Sequence, residues 1–198
     1  MLNHRPRRFS ANVGYTLGEA LNETDGALSL PPDSLDLSQE WGPSRQDVRH
    51  RVFASMNTDV KAGFRVNMNV RAQSASPYNI TTGLDENRDG QTNERPAGVA
   101  RNSGRGEPTT NVDMGVVWER SVGRRLNAQR GGGRDGGGGG ANRAPEGVFR
   151  FEIFARASNV LNLVNAQNFS GVITSPFFGR ATSAAAPRRL VLGMRAFF

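Results

Sequence analysis

A chain of 198 residues with a formal net charge of +7, 36% hydrophobic residues and a mean hydropathy of −0.52 is one domain or a piece of a larger one. It has no cysteine, which excludes a disulfide framework and Cys-based zinc sites, and its two histidines leave little for His-based metal or triad chemistry. Lys61 is the only lysine, and the arginines that carry the charge are scattered along every segment, not gathered on one helix face as in many nucleic-acid binders.

No apolar run reaches the ~18–20 residues of a transmembrane helix. Residues 1–6 lack the apolar stretch of a signal peptide, so any export signal is expected on a preceding segment. In the first predicted strand, near 8–18, Phe9, Ala11, Val13, Tyr15 and Leu17 alternate with Arg8, Ser10, Asn12, Gly14 and Thr16. Side chains of a strand point to opposite faces in turn, so this pattern makes one oily and one polar surface. Residues 19–49 read as a proline-punctuated loop, in which Leu28, Leu30, Leu35 and Leu37 suit a short hairpin or helical turn.

A hairpin follows. Strands near 50–60 and 64–72 flank the tight turn Lys61-Ala62-Gly63, and the second alternates Phe64, Val66, Met68, Val70 and Ala72 against Arg65, Asn67, Asn69 and Arg71. After a second long loop, Val112, Met114, Val116 and Trp118 mark a strand near 110–120. A Gly-rich tract near 128–145 carries no structural signal and reads as a disordered insertion. Phe149, Phe151, Ile153, Ala155 and Ala157 mark a strand near 148–158. A third long loop leads to the last strand, near 188–198, where Leu190, Leu192, Met194, Ala196 and Phe198 oppose Arg189, Gly193 and Arg195.

The predicted fold is therefore all-β: an antiparallel meander of about six long strands. The connections alternate long and short, apart from the Gly-rich one. Outer-membrane barrels have long external loops and short periplasmic turns, and their strands of about 9–11 residues are apolar toward lipid and polar toward the lumen. The expectation is the C-terminal part of a transmembrane β-barrel, with loops 19–49, 74–109 and 159–187 outside.

Three stretches share the look of one family. They are Pro77-Tyr78-Asn79-Ile80-Thr81-Thr82-Gly83-Leu84-Asp85-Glu86-Asn87-Arg88-Asp89-Gly90 with Asn93-Glu94-Arg95-Pro96, then Ala157-Ser158-Asn159-Val160-Leu161-Asn162, and then Ser175-Pro176-Phe177-Phe178-Gly179-Arg180 with the terminal strand. Together they resemble the C-terminal end of TonB-dependent outer-membrane transporters, in particular the Oar-like barrels. The resemblance implies a barrel of 22 strands around an N-terminal plug, of which this chain would supply six. It also implies outer-membrane lipid and the barrel-assembly machinery as partners, the latter through the Phe198 strand, with TonB reached only through the plug. On this reading the chain is an incomplete part of the transporter and not an enzyme. Two alternatives are a soluble basic β-protein that binds nucleic acid, and a small outer-membrane barrel or adhesin built by oligomerisation.

Three sets of site residues stand out. Asp85, Asn87, Asp89, Gln91 and Asn93 have the oxygen spacing of a calcium loop, but Pro96 stands where an EF-hand has its bidentate glutamate, and Glu94 substitutes only if the loop folds differently. The competing reading is a polar turn with Asx caps. Arg65, Arg71, Arg150, Arg156, Arg189 and Arg195 are expected to face the lumen, either handling anionic cargo or, more in keeping with the alternating signs, pairing with Asp59, Asp113, Glu119 and Glu152. Trp118 and Phe198 are expected at the membrane interface, on the periplasmic ends of their strands. No catalytic set emerges: His4 and His50 fall on opposite sides of the proposed membrane, and the Gly-rich tract lacks the Lys-Ser/Thr of a phosphate loop.

Overall fold

The computed structural model describes residues 9–26, 29–123 and 149–198. The Gly-rich tract at 128–145, His4 and Leu28 lie outside the described residues. The protein is all-β. Six long strands, β1 (Phe9–Leu17), β2 (His50–Asp59), β3 (Phe64–Gln73), β4 (Thr109–Val122), β5 (Phe149–Ser158) and β6 (Arg189–Phe197), pair in chain order in one antiparallel sheet. The sheet does not close on itself: β1 and β6 each pair on one side only among the described residues.

Alternation drives this arrangement, because a one-residue slip of any strand would exchange its faces. The register keeps like with like. Ala11, Met56, Met68, Met114, Ala157 and Leu190 form one row across all six strands. The meander places the hairpin turn at one end of the sheet and the three long connections at the other. The turn between β2 and β3 is a tight 3-10 turn at Lys61–Gly63, closed by a hydrogen bond from the Val60 N–H to the Phe64 carbonyl at 2.7 Å. Ala62 and Gly63 both take positive φ there, +63° and +84°.

The long connections carry structure of their own. Leu21–Asn22 pairs with Gly42–Pro43, Pro77–Tyr78 with Gly104–Arg105, and Ala166–Phe169 with Ala181–Ala184. The first loop also holds a short 3-10 turn at Leu37–Gln39, capped by the Asp36 carboxylate.

The described residues contain almost no apolar core. Val48 is the one buried hydrophobic side chain, whereas Glu40, Asp47, Glu94, Arg101, Asn102, Asn159 and Asn165 are all buried. All seven lie in or beside the long connections. The sheet is thus held by its ladder and the loops by polar contacts.

At Gly63, an added methyl group would take a left-handed backbone and meet the Glu119 carbonyl oxygen. Gly63→Ala is therefore expected to cost at least about 1–2 kcal/mol, read as a lower urea midpoint. Ala62→Gly relieves the same kind of strain and should leave the midpoint unchanged or raise it.

Candidate functional site

The two faces of the sheet differ sharply. One carries Phe9 to Leu17 in alternate positions, then Val52, Ala54 and Met56, the even-numbered apolar residues of β3 and β4, and, in alternate positions, Phe149 to Ala157 and Leu190 to Ala196. Paired positions on this face include no carboxylate, and their one arginine is Arg120, opposite Phe151 near the end of β4. Among the described residues nothing covers the face. Val13 is 79% exposed, Leu192 70% and Met194 82%.

Aromatic side chains on this face gather at the hairpin end: Phe9, Phe64, Trp118, Phe149 and Phe151, with Phe198 following β6. The Trp118 indole N–H donates to the Ala62 carbonyl at 3.0 Å and its ring leans on Phe64. Contrary to expectation, Trp118 does not end its strand. β4 runs on to Val122, so Trp118 sits level with the turn and not at the strand terminus. Phe198 is 95% exposed just beyond the end of β6. At the loop end the face carries Tyr15, whose hydroxyl bonds His50 Nδ1 at 2.8 Å.

The register puts all six arginines singled out above on the opposite face. Arg65 donates to Asp59 at 3.1 Å, Arg195 pairs with Glu152 at 3.3 Å, and Arg71 lies 3.9 Å from Asp113. Glu119 and Glu152 stand directly opposite each other, a repulsion that Arg195 offsets. Arg150 lies over the Phe197 ring, and Arg156 and Arg195 flank Phe154, each guanidinium within 5.1 Å of a ring centre. Arg189 is exposed opposite Ser158 and makes no ion pair among the described residues. The face is polar and largely charge-compensated.

Above the sheet the loops form a platform around buried ions. The Arg101 guanidinium, 3% exposed, donates to the Asn22 carbonyl and side-chain oxygens, the Glu40 carbonyl and Asp25. Arg95 grips Glu40 with two bonds of 2.6 and 3.3 Å. Arg105 holds Asp47 at 2.6 Å, with Arg49 at 3.6 Å on the same carboxylate. Asn102, wholly buried, bridges Asp25 and the Pro43 carbonyl. These contacts tie loop 74–108 to loop 18–49.

The third loop joins through Tyr78 and Phe169, stacked at 5.8 Å, and through Thr81, which bonds the Gly171 carbonyl and the Ile173 N–H. Gly171 packs so closely on the Asn79 carbonyl that no side chain fits there. Beneath the platform, on the polar side, lies a cleft of about 920 Å³ walled by Arg45, Arg71, Glu107, Asp113, Asn165 and Arg189.

Asp47 feels opposing influences. Burial pushes its carboxyl up, but the Arg105 hydrogen bond, the Ala20 N–H and the charges of Arg105 and Arg49 outweigh that and hold it below the usual carboxylate range. The bond from the Ala20 N–H is 3.0 Å long.

In the candidate calcium loop, Asp85 accepts the N–H groups of Asp89 and Gly90, each at 3.0 Å, and Asn87 and Asp89 accept those of Asp89 and Gln91. Those are the bonds of an Asx-capped turn. Asn87 donates its amide N–H groups to the Pro32 carbonyl and to the Asp89 carboxylate at 3.1 Å, and Asn93 donates to the Leu30 carbonyl. Gln91 is exposed. The carboxylates that converge are Asp85, Asp89 and Glu94, within 4.8 Å of one another.

The sequence singled out none of Arg95, Arg101 and Arg105 as site residues; of the three, Arg95 alone stands in a stretch quoted above. No described helix is long and apolar enough to cross a membrane, which has no bearing on strands. Compared with protein-family models, with curated proteins and with solved structures, the chain matches none.

Removing Arg101 strands Asp25 and the surrounding carbonyl groups. Arg101→Ala should cost about 3–5 kcal/mol, as for a broken buried pair, in chemical unfolding of the loops. A carboxyl with a depressed folded pKa stabilises above its unfolded value near ~3.9 and loses that contribution as pH falls through the folded value. Protection of the Ala20 amide, its intrinsic exchange rate over its observed rate at each pH, should therefore be high from about pH 5 upward and fall below about pH 4, with Asp47→Asn removing most of that step.

Proposed function

We propose that the chain forms part of the wall of an outer-membrane β-barrel of a Gram-negative-type bacterium, with lipid against the apolar face and the lumen against the charged one. The observation that carries this reading is the shared register. It joins six alternating strands into one continuous exposed apolar face, belted with aromatics at one end and backed by a charge-compensated face. Each fully exposed Val, Leu or Met on such a face forgoes about 1.5–3 kcal/mol relative to burial. A handful of them rivals the ~5–15 kcal/mol net stability of a domain. An apolar medium removes that penalty. Strands of nine to fourteen residues, tilted, match the ~25 Å apolar band of such barrels.

In hydrocarbon every backbone polar group needs a partner. The free edges of β1 and β6 therefore call for further strands to complete a barrel. In line with the resemblance to TonB-dependent transporters, the complete barrel would take up a bulky solute, with energy delivered through a plug that contacts TonB. The residues described here contribute wall, lumen charge and the external platform. The cleft beneath the platform, with Arg45, Arg71 and Arg189 on its wall, is where cargo would first meet the lumen. The β6 strand and Phe198 are the part offered to the barrel-assembly machinery.

Because the chain has no cysteine, single-cysteine variants test this directly. With the protein in lipid vesicles, an environment-sensitive label at Leu192→Cys or Val13→Cys should be quenched by spin-labelled acyl chains. The same label at Arg195→Cys should be quenched only by water-soluble agents. Equal quenching at the three sites by the aqueous agent would overturn the membrane reading.

A further inference from the structure

We infer that residues 85–94 build a calcium site whose decisive ligand is Glu94, and that the ion clamps the first two external loops together. The sequence spacing points to Asp85, Asn87 and Asp89, but those residues alone make an ordinary Asx turn. Glu94 changes the argument. It is 8% exposed, and both carboxylate oxygens are buried without a hydrogen-bond partner. Among the described residues no arginine or lysine pairs with it, although Arg95 and Arg101, its near neighbours in sequence, pair with the distant Glu40.

A buried carboxylate with no donor and no cation is strongly disfavoured, and two more carboxylates beside it add repulsion. The side-chain oxygen of Asn93 is also buried and unpartnered. The converging oxygens are thus those of three carboxylates, of which Asp85 and Asp89 already accept N–H groups, and no proton donor is directed at Glu94.

The spacing suits a cation. Oxygens on opposite sides of a calcium ion, each at about 2.3–2.6 Å, lie about 4.6–5.2 Å apart. Asp85, Asp89 and Glu94 offer oxygens within 4.8 Å of one another. An all-oxygen set of high charge selects a hard divalent ion, and its mixed, loop-borne character favours calcium over the stricter octahedron of magnesium.

The surroundings are braced from both loops. Asn87 and Asn93 donate to the Pro32 and Leu30 carbonyls at 2.7 and 2.9 Å, and the Thr82 N–H donates to the Glu94 carbonyl at 2.8 Å. An ion there neutralises the one buried charge without an ion pair among the described residues and braces the contact between loops 18–49 and 74–108. The inference does not depend on the membrane reading.

Calcium titration of the full chain by calorimetry, with thermal unfolding in calcium and in chelator, tests it. The wild type should bind one calcium ion saturably and melt higher in calcium than in chelator. Glu94→Gln should weaken binding at least tenfold, yet melt at or above the wild type in chelator, because it removes an unpaired buried charge. Asp89→Asn, at an exposed position, should weaken binding likewise, and Glu86→Gln, outside the cluster, should bind as the wild type does. Absence of saturable binding by the folded wild type up to about 10 mM, beyond the range of weak extracellular calcium modules, would overturn the inference. So would calcium affinity unchanged in both Glu94→Gln and Asp89→Asn. A Glu94→Gln chain that melts well below the wild type in chelator would mean that Glu94 has a structural partner, and would also overturn it.

Discussion

The buried guanidinium of Arg101 is the contact on which the loop platform depends. It sits at 3% exposure among Asn22, Asp25 and Glu40, residues far from it in sequence but adjacent in space. A charge so buried is tolerable only when it is paired and hydrogen-bonded, and here Nη1 and Nη2 donate to the Asn22, Glu40 and Asp25 oxygens. Glu40 in turn is shared with Arg95, and Asp25 with Asn102. Each partner therefore depends on the others, and loops 18–49 and 74–108 form one polar unit in place of an apolar core. Val48 alone adds a buried hydrophobic side chain among the described residues.

That choice of glue follows from where the apolar residues are spent. The alternating strands place them on a face that points away from the loops, so the loops must be ordered by ionic and backbone contacts. An ion-paired platform is compatible with water on its outer side, and a sheet with one apolar face is compatible with lipid on that side. Aromatic residues collect at the hairpin end of the apolar face, and on the proposed membrane reading Trp118, the amphipathic ring among them, would sit between hydrocarbon and headgroups.

The opposite face shows how a polar wall pairs part of its charge across neighbouring strands. Arg65 with Asp59, Arg71 near Asp113 and Arg195 with Glu152 are cross-strand or near-neighbour pairs. Phe154, Phe197 and the arginines around them add flat apolar surface that cations can cover. A wall of this kind carries balanced charge along most of its length, and its arginine bias is concentrated at the cleft, where Arg45, Arg71 and Arg189 stand.

The sequence by itself determined the strands and their two faces. Phe64 to Ala72 and Leu190 to Ala196 alternate strictly, and a period of two is a local property that any extended segment obeys. It also made the antiparallel hairpin legible through Lys61-Ala62-Gly63, and the Asx spacing of Asp85, Asn87 and Asp89. Only the tertiary structure decided which loops meet. Arg101 finds Asn22 across 79 residues and Arg95 finds Glu40 across 55, separations over which no periodicity speaks. For the same reason Glu94, which the spacing offers only as a substitute ligand if the loop folds differently, was shown to be buried and unpartnered only when the chain folded around it. Burial and charge pairing at a loop are set by residues distant in sequence, whereas the face of a strand is set by its neighbours.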